Sequence, residues 1–417
     1  MRVLALILAF AGLLVNLTLL INLRPPGSFY FVMFQLAATA LAPVLAGLGV
    51  LSVVLGVLSR ARAAWSAGAV SAVISIVYML MVTSSHNGFA DAFGADWESK
   101  IAPSQAEHML RGRWRPGLPQ TREPVFEQDV VFWTIPGTER ELLCDVWQPA
   151  EGVARSGLAV VYLHGSAWYM FDKDLGTRPM FQRLTDQGHV VMDVAYRLTP
   201  EVDIYGMVGD VKRAVAWMRD NADAYGVDPQ RIVLAGGSAG GHLALLAAYT
   251  PDEVRLMPDE LAGKDLSVHA VVSFYGPTDM RATYAHLAQE RLIGMPKVDI
   301  GQPGAATMEK EFGDAGRMDM LLGGHLHEVP EIYDLASPLV HAGADSPPTL
   351  LIQGKPDIIA PYAATREMTE KLRANGVRVV NIVYPLTNHA FDLLLPEVSP
   401  AAQAALYELE RFLAVVQ

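Results

Sequence analysis

The chain holds a single cysteine, Cys144, among 417 residues, so no intrachain disulfide framework supports the fold. Cys144 lies in "ELLCDVWQP", flanked by apolar residues on an expected strand, and reads as a buried, inert thiol. Positive charge is also scarce: 32 Lys and Arg stand against 44 Asp and Glu, giving a formal net charge of −12. With no basic stripe, nucleic acid is excluded as a partner. No group of side chains has the spacing of a closed metal site. His325 and His327 in "GGHLHE" have only Glu328 beside them, so no metal is expected.

Three N-terminal runs contain no charge at all. They cover about residues 3–23, 29–59 and 64–83, the second interrupted by Pro43. About 20 apolar residues are enough to cross a bilayer. A cleaved signal peptide has an apolar stretch of about 7–15 residues and a small-residue cleavage site; the first run is longer and lacks the site. Residues 1–84 are therefore expected to form three transmembrane helices of a multi-pass membrane protein. Ala46, Gly47 and Gly49 are candidates for close helix contacts. No ionisable residue interrupts the spans, which favours an anchor over a transporter. Arg2, Arg60 and Arg62 fall on one side, and Arg24 with the acidic stretch Asp91, Asp96 and Glu98 on the other. That bias puts the N-terminus in the cytoplasm and everything after residue 84 outside it. A re-entrant second run would reverse the answer.

After a linker over residues 85–122 the pattern changes. Short β-rich runs alternate with helical stretches from 123 to 417. "EQDVVFWTI" and "ELLCDVWQP" read as an antiparallel pair. "GLAVVYLHG", "HVVMDVAYR", "RIVLAGG", "VHAVVSFYG", "PTLLIQG" and "VRVVNIVYP" read as buried strands separated by helices. This alternation specifies an α/β fold: a mostly parallel sheet with helices on both faces and ligands at the strands' carboxyl ends. Residues 281–331 break the rhythm, and their Leu and Met content suits a cap or lid. The linker from Phe89 to Pro116 is expected beside it.

"LAGGSAGGHLA" spends glycines on the joint between a strand and a helix, where each carries an entropic cost. Gly236-Gly237-Ser238-Ala239-Gly240 fits G-x-S-x-G, the strained turn that lifts a serine hydroxyl above a sheet. A helix-capping role for Ser238 is the bland rival. A hydroxyl needs a base. "LLIQGKPDIIAP" puts Asp357 in the loop after one strand, and "VYPLTNHAFD" puts His389 after the next, with Ala390 and Phe391 expected to pack its ring from behind. Asp345 stands at the wrong end of its strand, and Asp392 is close to His389 in sequence; these are the rival acids. "VVYLHGSAWYMF" ends an early strand with His164, Gly165, Ser166, Ala167 and Trp168, a loop able to offer amides to an oxyanion alongside Ala239. Ser166 is a weaker nucleophile candidate. Arg197 and Asp210 suit a buried hydrogen-bonded pair.

"HGSAW", "YRLTPE", "YGVDPQRIVLAGGSAGGHLALLAA", "FYGPTDM", "ASPLVHAGADSPPTLLIQGKPD" and "NHAFD" occur in the order found in one family. From about Asp129 to Leu413 the chain resembles the α/β-hydrolase carboxylesterases that include hormone-sensitive lipase-like and bacterial feruloyl-esterase-like enzymes. The resemblance implies ester hydrolysis through Ser238, Asp357 and His389, with the oxyanion held near Gly165, Ser166, Ala167 and Ala239, and Trp168 near the substrate. It implies no cofactor. The partners would be a small-molecule or lipid-like ester and the bilayer; oligomeric state stays open. Two departures stand out: Ser166 replaces the family's second loop glycine, and "QGK", with Gln353 and Lys355, replaces "HGD". The rival functions are an acyltransferase using the same residues and a catalytically silent membrane scaffold.

Overall fold

A computed structural model describes residues 1–20, 29–289 and 318–416. The centre of the expected cap, residues 290–317, lies outside the described residues, as does the end of the first expected span.

Four apolar helices open the chain: α1 (Arg2–Leu20), α2 (Phe29–Ala40), α3 (Ala42–Leu58) and α4 (Arg62–Val82). The run expected as a single span over 29–59 is two helices, with a 78° bend between them. The bend falls at Leu41, and Pro43 sits in the first turn of α3, where a missing N–H loses no helical bond. α1 and α4 are each long and apolar enough to cross a membrane, and α2 with α3 passes as one bent pair. Most of the exposed large apolar side chains of the described residues lie on these helices, among them Ile7, Phe10, Leu14, Val54, Val73 and Leu80.

Glycine sets the packing between α3 and α4. A Cβ on Gly49 would meet the Gly68 carbonyl oxygen at 2.7 Å, and one on Gly68 would meet that of Gly49 at 2.7 Å. Gly47, expected at a contact, faces open space instead. Asn16 is fully buried between α1 and α4. Its Nδ2 donates to the Ser71 carbonyl at 3.0 Å and the Ser71 hydroxyl at 2.8 Å, and its Oδ1 accepts from the Ser75 hydroxyl at 3.1 Å. Such polar contacts hold apolar helices together where no hydrophobic contrast exists.

Among the described residues, none of 85–122, expected beside the cap, lines the cavity over Ser238. Helix α5 (Gly88–Phe93) buries Phe89 and Phe93, and the following residues run along the last helix of the chain. Trp114 Nε1 donates to the Val398 carbonyl at 3.0 Å, the Leu110 amide to Glu410 at 2.6 Å and Arg113 to Glu408 at 2.6 Å.

The eight strands are β1 (Val125–Thr134), β2 (Glu141–Gln148), β3 (Ala159–Leu163), β4 (Val190–Ala195), β5 (Ile232–Gly237), β6 (Ala270–Phe274), β7 (Thr349–Gly354) and β8 (Val379–Tyr384). They form one sheet in the order β1-β2-β4-β3-β5-β6-β7-β8. The β1–β2 and β2–β4 pairs are antiparallel and the other five parallel. Cys144 is fully buried on β2. Along β3, Ala159, Val161 and Leu163 face one core, and Val160 and Tyr162 the other, as period-two alternation requires. Against the first face pack α7 (Ile204–Asp220), α8 (Ala239–Tyr249) and α9 (Tyr362–Ala374). Against the second pack α6 (Arg178–Asp186) and α10 (Pro400–Val415). Residues of α1, α2, α3 and α4, including Leu19, Leu36, Leu45 and Tyr78, join this second core, so the N-terminal helices and the sheet share one apolar interior.

Candidate active site

The glycines at the end of β5 are demanded by space. A Cβ on Gly240 would lie 2.0 Å from the Leu163 carbonyl oxygen, and one on Gly236 would lie 2.5 Å from the Gly240 carbonyl carbon. β5 passes into α8 with no room for a side chain two residues before or two residues after Ser238. Ser238 takes the strain, at φ 53° and ψ −121°, in a region L-residues rarely occupy. Its hydroxyl makes no capping bond to α8. It lies 2.8 Å from His389 Nε2.

His389 Nδ1 lies 3.0 Å from each carboxylate oxygen of Asp357. The Asp357 side chain is fully buried and also accepts the amides of Ile359 at 2.8 Å and Ala360 at 2.9 Å. With Nδ1–H donating to Asp357, Nε2 is left to accept the serine proton, which is the tautomer a general base needs. Asp345 lies before β7, far from the carboxyl end of the sheet, as its place in the sequence implies. Lys355 is exposed. Gln353, the other departure before the acid, is buried and donates to the Ala360 carbonyl at 2.6 Å, closing the turn that carries Asp357.

The ring packed against His389 belongs to Tyr275, at the end of β6, with centroids 4.6 Å apart. Phe391, expected behind His389, packs instead on Tyr275 and Tyr384. The Tyr275 hydroxyl donates to Asp392. Burial pushes the Asp392 carboxyl up to about 6, the hydrogen bond from Tyr275 partly opposing it. Asp392 is thus a partly buried support beneath the site, and it bonds to Tyr275 where Asp357 bonds to His389. Neither Tyr275 nor Asp392 carried a sequence signal for this role, since their meeting depends on two strand ends 117 residues apart.

The loop after β3 comes close to Ser238. A Cβ on Gly165 would press on the Gly237 carbonyl oxygen at 3.3 Å and on Ser238 Cβ at 3.5 Å. Ser166 is buried and faces away from nucleophile chemistry. Its hydroxyl accepts the Trp168 amide at 2.9 Å and meets the Tyr196 hydroxyl at 2.7 Å, which in turn donates to the His164 carbonyl at 2.8 Å. This network holds Ala167 and Trp168 at φ 46° and 66° without glycine. Among the described residues, the amides of Ser166 and Ala167 meet no backbone acceptor, and Ala239 is the first residue of α8, where an amide has no helical partner. Trp168 Nε1 donates to His242 Nδ1 at 3.1 Å, and His242 Nε2–H donates to the Ala336 carbonyl at 2.7 Å. Burial pushes the His242 imidazole down to about 4, so it stays neutral in this bridge. Farther out, Arg197 pairs with fully buried Asp210 at 2.7 and 2.8 Å, the structural pair expected from the sequence.

A cavity of about 200 Å³ opens over Ser238 and His389, bounded by Gly165–Phe171 and by Leu175, Leu287, Met318, Ile359 and Leu393. Its wall is largely apolar, so a carbonyl bound there would find its polar partners in backbone amides. The family model BD-FAE matches residues 144–372, more than half of the chain.

The chain belongs to the BD-FAE family of α/β-hydrolases.

The family lies within the carboxylesterase group. Among curated relatives, esterase LipQ of Mycobacterium tuberculosis is 29% identical over 74% of this chain and 69% of its own length. The probable carboxylic ester hydrolase LipM of the same organism is 31% identical over 65% of this chain and 58% of its own. The chain thus spans roughly three-fifths to two-thirds of the length of these relatives. Among solved structures, Thermogutta terrifontis esterase 2 phosphonylated by sarin superposes with a TM-score of 0.51 at 25% identity, covering 70% of this chain and 94% of that one. The same esterase with butyrate bound gives 0.50 at 25% identity, covering 70% and 93%.

Proposed function

We propose that this BD-FAE member is a membrane-anchored serine carboxylester hydrolase in which Ser238 is the nucleophile, His389 the base and Asp357 the group that orients the base. The observation that carries this reading is one imidazole bridging a strained serine hydroxyl and a buried carboxylate. His389 Nε2 takes the Ser238 proton as Oγ bonds to the ester carbonyl carbon. The carbonyl π electrons move to the oxygen, which the amides of Ser166, Ala167 and Ala239 stabilise. Collapse of this intermediate expels the alcohol, protonated by the imidazolium, and leaves an acyl group on Ser238. Water then attacks the acyl carbon as His389 removes its proton. A second collapse returns the proton to Ser238 and releases the acid. Besides the ester and water, these steps use side chains and amides of this chain.

The relative's phosphonylation by sarin supports the choice of nucleophile, because an activated serine oxygen attacks the phosphorus of such agents and expels their leaving group. A fluorophosphonate should label the full-length protein at Ser238, and Ser238→Ala should abolish both labelling and ester hydrolysis. Labelling elsewhere with hydrolysis retained would refute the assignment.

The anchor is supported by the broad exposed apolar faces of α1, α3 and α4, which soluble surfaces avoid. In this reading those three helices cross the bilayer, with the N-terminus cytoplasmic and the hydrolase domain on the far side, as the arginine bias favours. The two-thirds of the chain after the anchor form one hydrolase domain, and the segment around 281–331 would shape the mouth of the site. The bound butyrate of the relative makes short acyl esters the first substrates to assay.

A further inference from the structure

We propose that the N-terminal helices are a working part of the active site: Gln35 of α2 and Tyr78 of α4 are positioning residues for His389. This rests on the reading of Ser238, Asp357 and His389 given above.

The loop carrying His389 is held in an unfavourable shape. Leu386 and Ala390, on either side of Thr387-Asn388-His389, have φ of 55° and 59°. Non-glycine residues persist there only when surrounding contacts over-determine the backbone. Part of the hold is local. Asn388 Oδ1 accepts the His389 amide at 2.8 Å and the Ile358 amide at 3.2 Å, so one side chain ties the histidine loop to the acid loop. Gly354 lies beneath, where a Cβ would come within 2.0 Å of the Thr387 carbonyl oxygen.

The rest of the hold comes from far away in the sequence. Asn388 Nδ2 donates to Gln35 Oε1 at 3.2 Å, and Gln35 Nε2 donates to the Thr18 carbonyl of α1 at 3.0 Å. Thr387 Oγ1 donates to the Pro385 carbonyl at 3.0 Å, which leaves it to accept from the Tyr78 hydroxyl at 3.0 Å. Tyr78 and Thr387 are both fully buried. Two adjacent residues next to the base are therefore fastened by two different N-terminal helices. α2 suits this task. It turns away from α3 by 78°, keeps Val32 and Leu36 inside, and leaves Met33 and Phe34 on its outer side. In a bilayer-anchored chain it lies along the membrane surface, between lipid and the catalytic loops, so the assembly of the anchor sets the alignment of His389 with Ser238.

The test uses full-length protein in detergent micelles and a short-chain p-nitrophenyl ester. Tyr78→Phe removes one hydroxyl, and Gln35→Met keeps the length while removing the acceptor. Each should lower kcat about tenfold with KM within twofold of the parent, and should slow fluorophosphonate labelling of Ser238 by the same factor. In a Thr387→Val background, Tyr78→Phe should have no further effect; in an Asn388→Ala background, neither should Gln35→Met. Thermal unfolding of each variant in the same micelles separates misfolding from misalignment. Parent-like kcat in both single variants overturns the proposal, as does a loss that is undiminished in the paired backgrounds. Ser238→Ala run alongside tells the two readings apart: if it is active, the nucleophile assignment has failed, and if it is inactive while Gln35 and Tyr78 variants are unaffected, only the positioning role has.

Discussion

The indole N–H of Trp168 is bonded to Nδ1 of His242, which ties the loop after β3 to the first turns of the helix behind Ser238. Both partners are buried, and the far nitrogen of His242 is anchored on the Ala336 carbonyl. The bridge spans the two segments whose amides are proposed to hold the same oxyanion. Trp168, expected from sequence near the substrate, lines the cavity and also uses its one polar atom to fix the loop.

His242→Ala should therefore lower kcat on short esters about tenfold or more, since losing one oxyanion donor costs roughly 10²–10³. KM should change little, because the contact matters most when charge develops. His242→Gln, which can still accept from Trp168, should recover part of the loss. Equal kcat in parent and His242→Ala would show that the loop holds its shape without the bridge.

Removing the proposed nucleophile or the proposed base should cost far more. Ser238→Ala and His389→Ala should each lower kcat by on the order of 10⁴-fold or more, with the double variant little worse, because the residues act as a unit. Asp357→Asn should keep the fold and lose about 10³–10⁴-fold, through the wrong imidazole tautomer. Single-turnover rates with a chromogenic ester measure all of these, and additive losses would contradict the shared mechanism.

The glycines around Ser238 should differ sharply in tolerance. Gly236→Ala and Gly240→Ala force a Cβ to within 2.5 and 2.0 Å of backbone atoms, whereas Gly237→Ala meets its nearest neighbour, the Tyr275 hydroxyl, at 3.3 Å. The first two should fail to accumulate as folded protein, with a destabilisation above about 3 kcal/mol. The third should fold and label with a fluorophosphonate. Similar yields and unfolding midpoints for all three would contradict the steric account.

The meeting of Ser238, His389 and Asp357 was legible in the sequence for a physical reason. A nucleophile turn needs glycines at fixed local spacing, and strand-end loops carry the acid and base, so pattern and order suffice. Asn388, Gln35, Tyr78 and Tyr275 left no comparable trace. Their contacts join positions up to 353 residues apart, and any polar side chain on an apolar helix reads alike from composition. The break at Leu41 was half visible. Pro43 marks it, but both halves of the run from 29 to 59 are apolar, and composition alone does not separate two helices from one. Ser166 stands where the family has a glycine, and its hydroxyl accepts the Trp168 amide and so helps to hold the loop.

Asp392 gives stability a pH dependence that can be worked out. Its side chain is partly buried, and the loss of solvation raises its carboxyl from an ordinary value of 3.8 to about 6. Between those values the folded protein keeps a proton that the unfolded chain has released. Stability then falls as pH rises through this window, because the folded state binds more protons than the unfolded one. The contribution present below pH 4 is lost by the time pH passes about 6, an effect on the order of 2–3 kcal/mol. The buried His242 acts in the opposite direction: held down at about 4, it favours the folded state more as pH rises toward the ordinary imidazole range. The two must be separated by substitution. Asp392→Asn keeps the shape and an acceptor for the Tyr275 hydroxyl but cannot ionise. Relative to the parent, this variant should gain stability between pH 4.5 and 7.5, and the difference should level off above pH 7. Denaturant unfolding of the full-length protein in micelles at several pH values measures this directly. A stability difference between parent and variant that stays constant across that range would mean that the carboxyl keeps its ordinary acidity and that Tyr275 supports His389 without a buried proton beneath it.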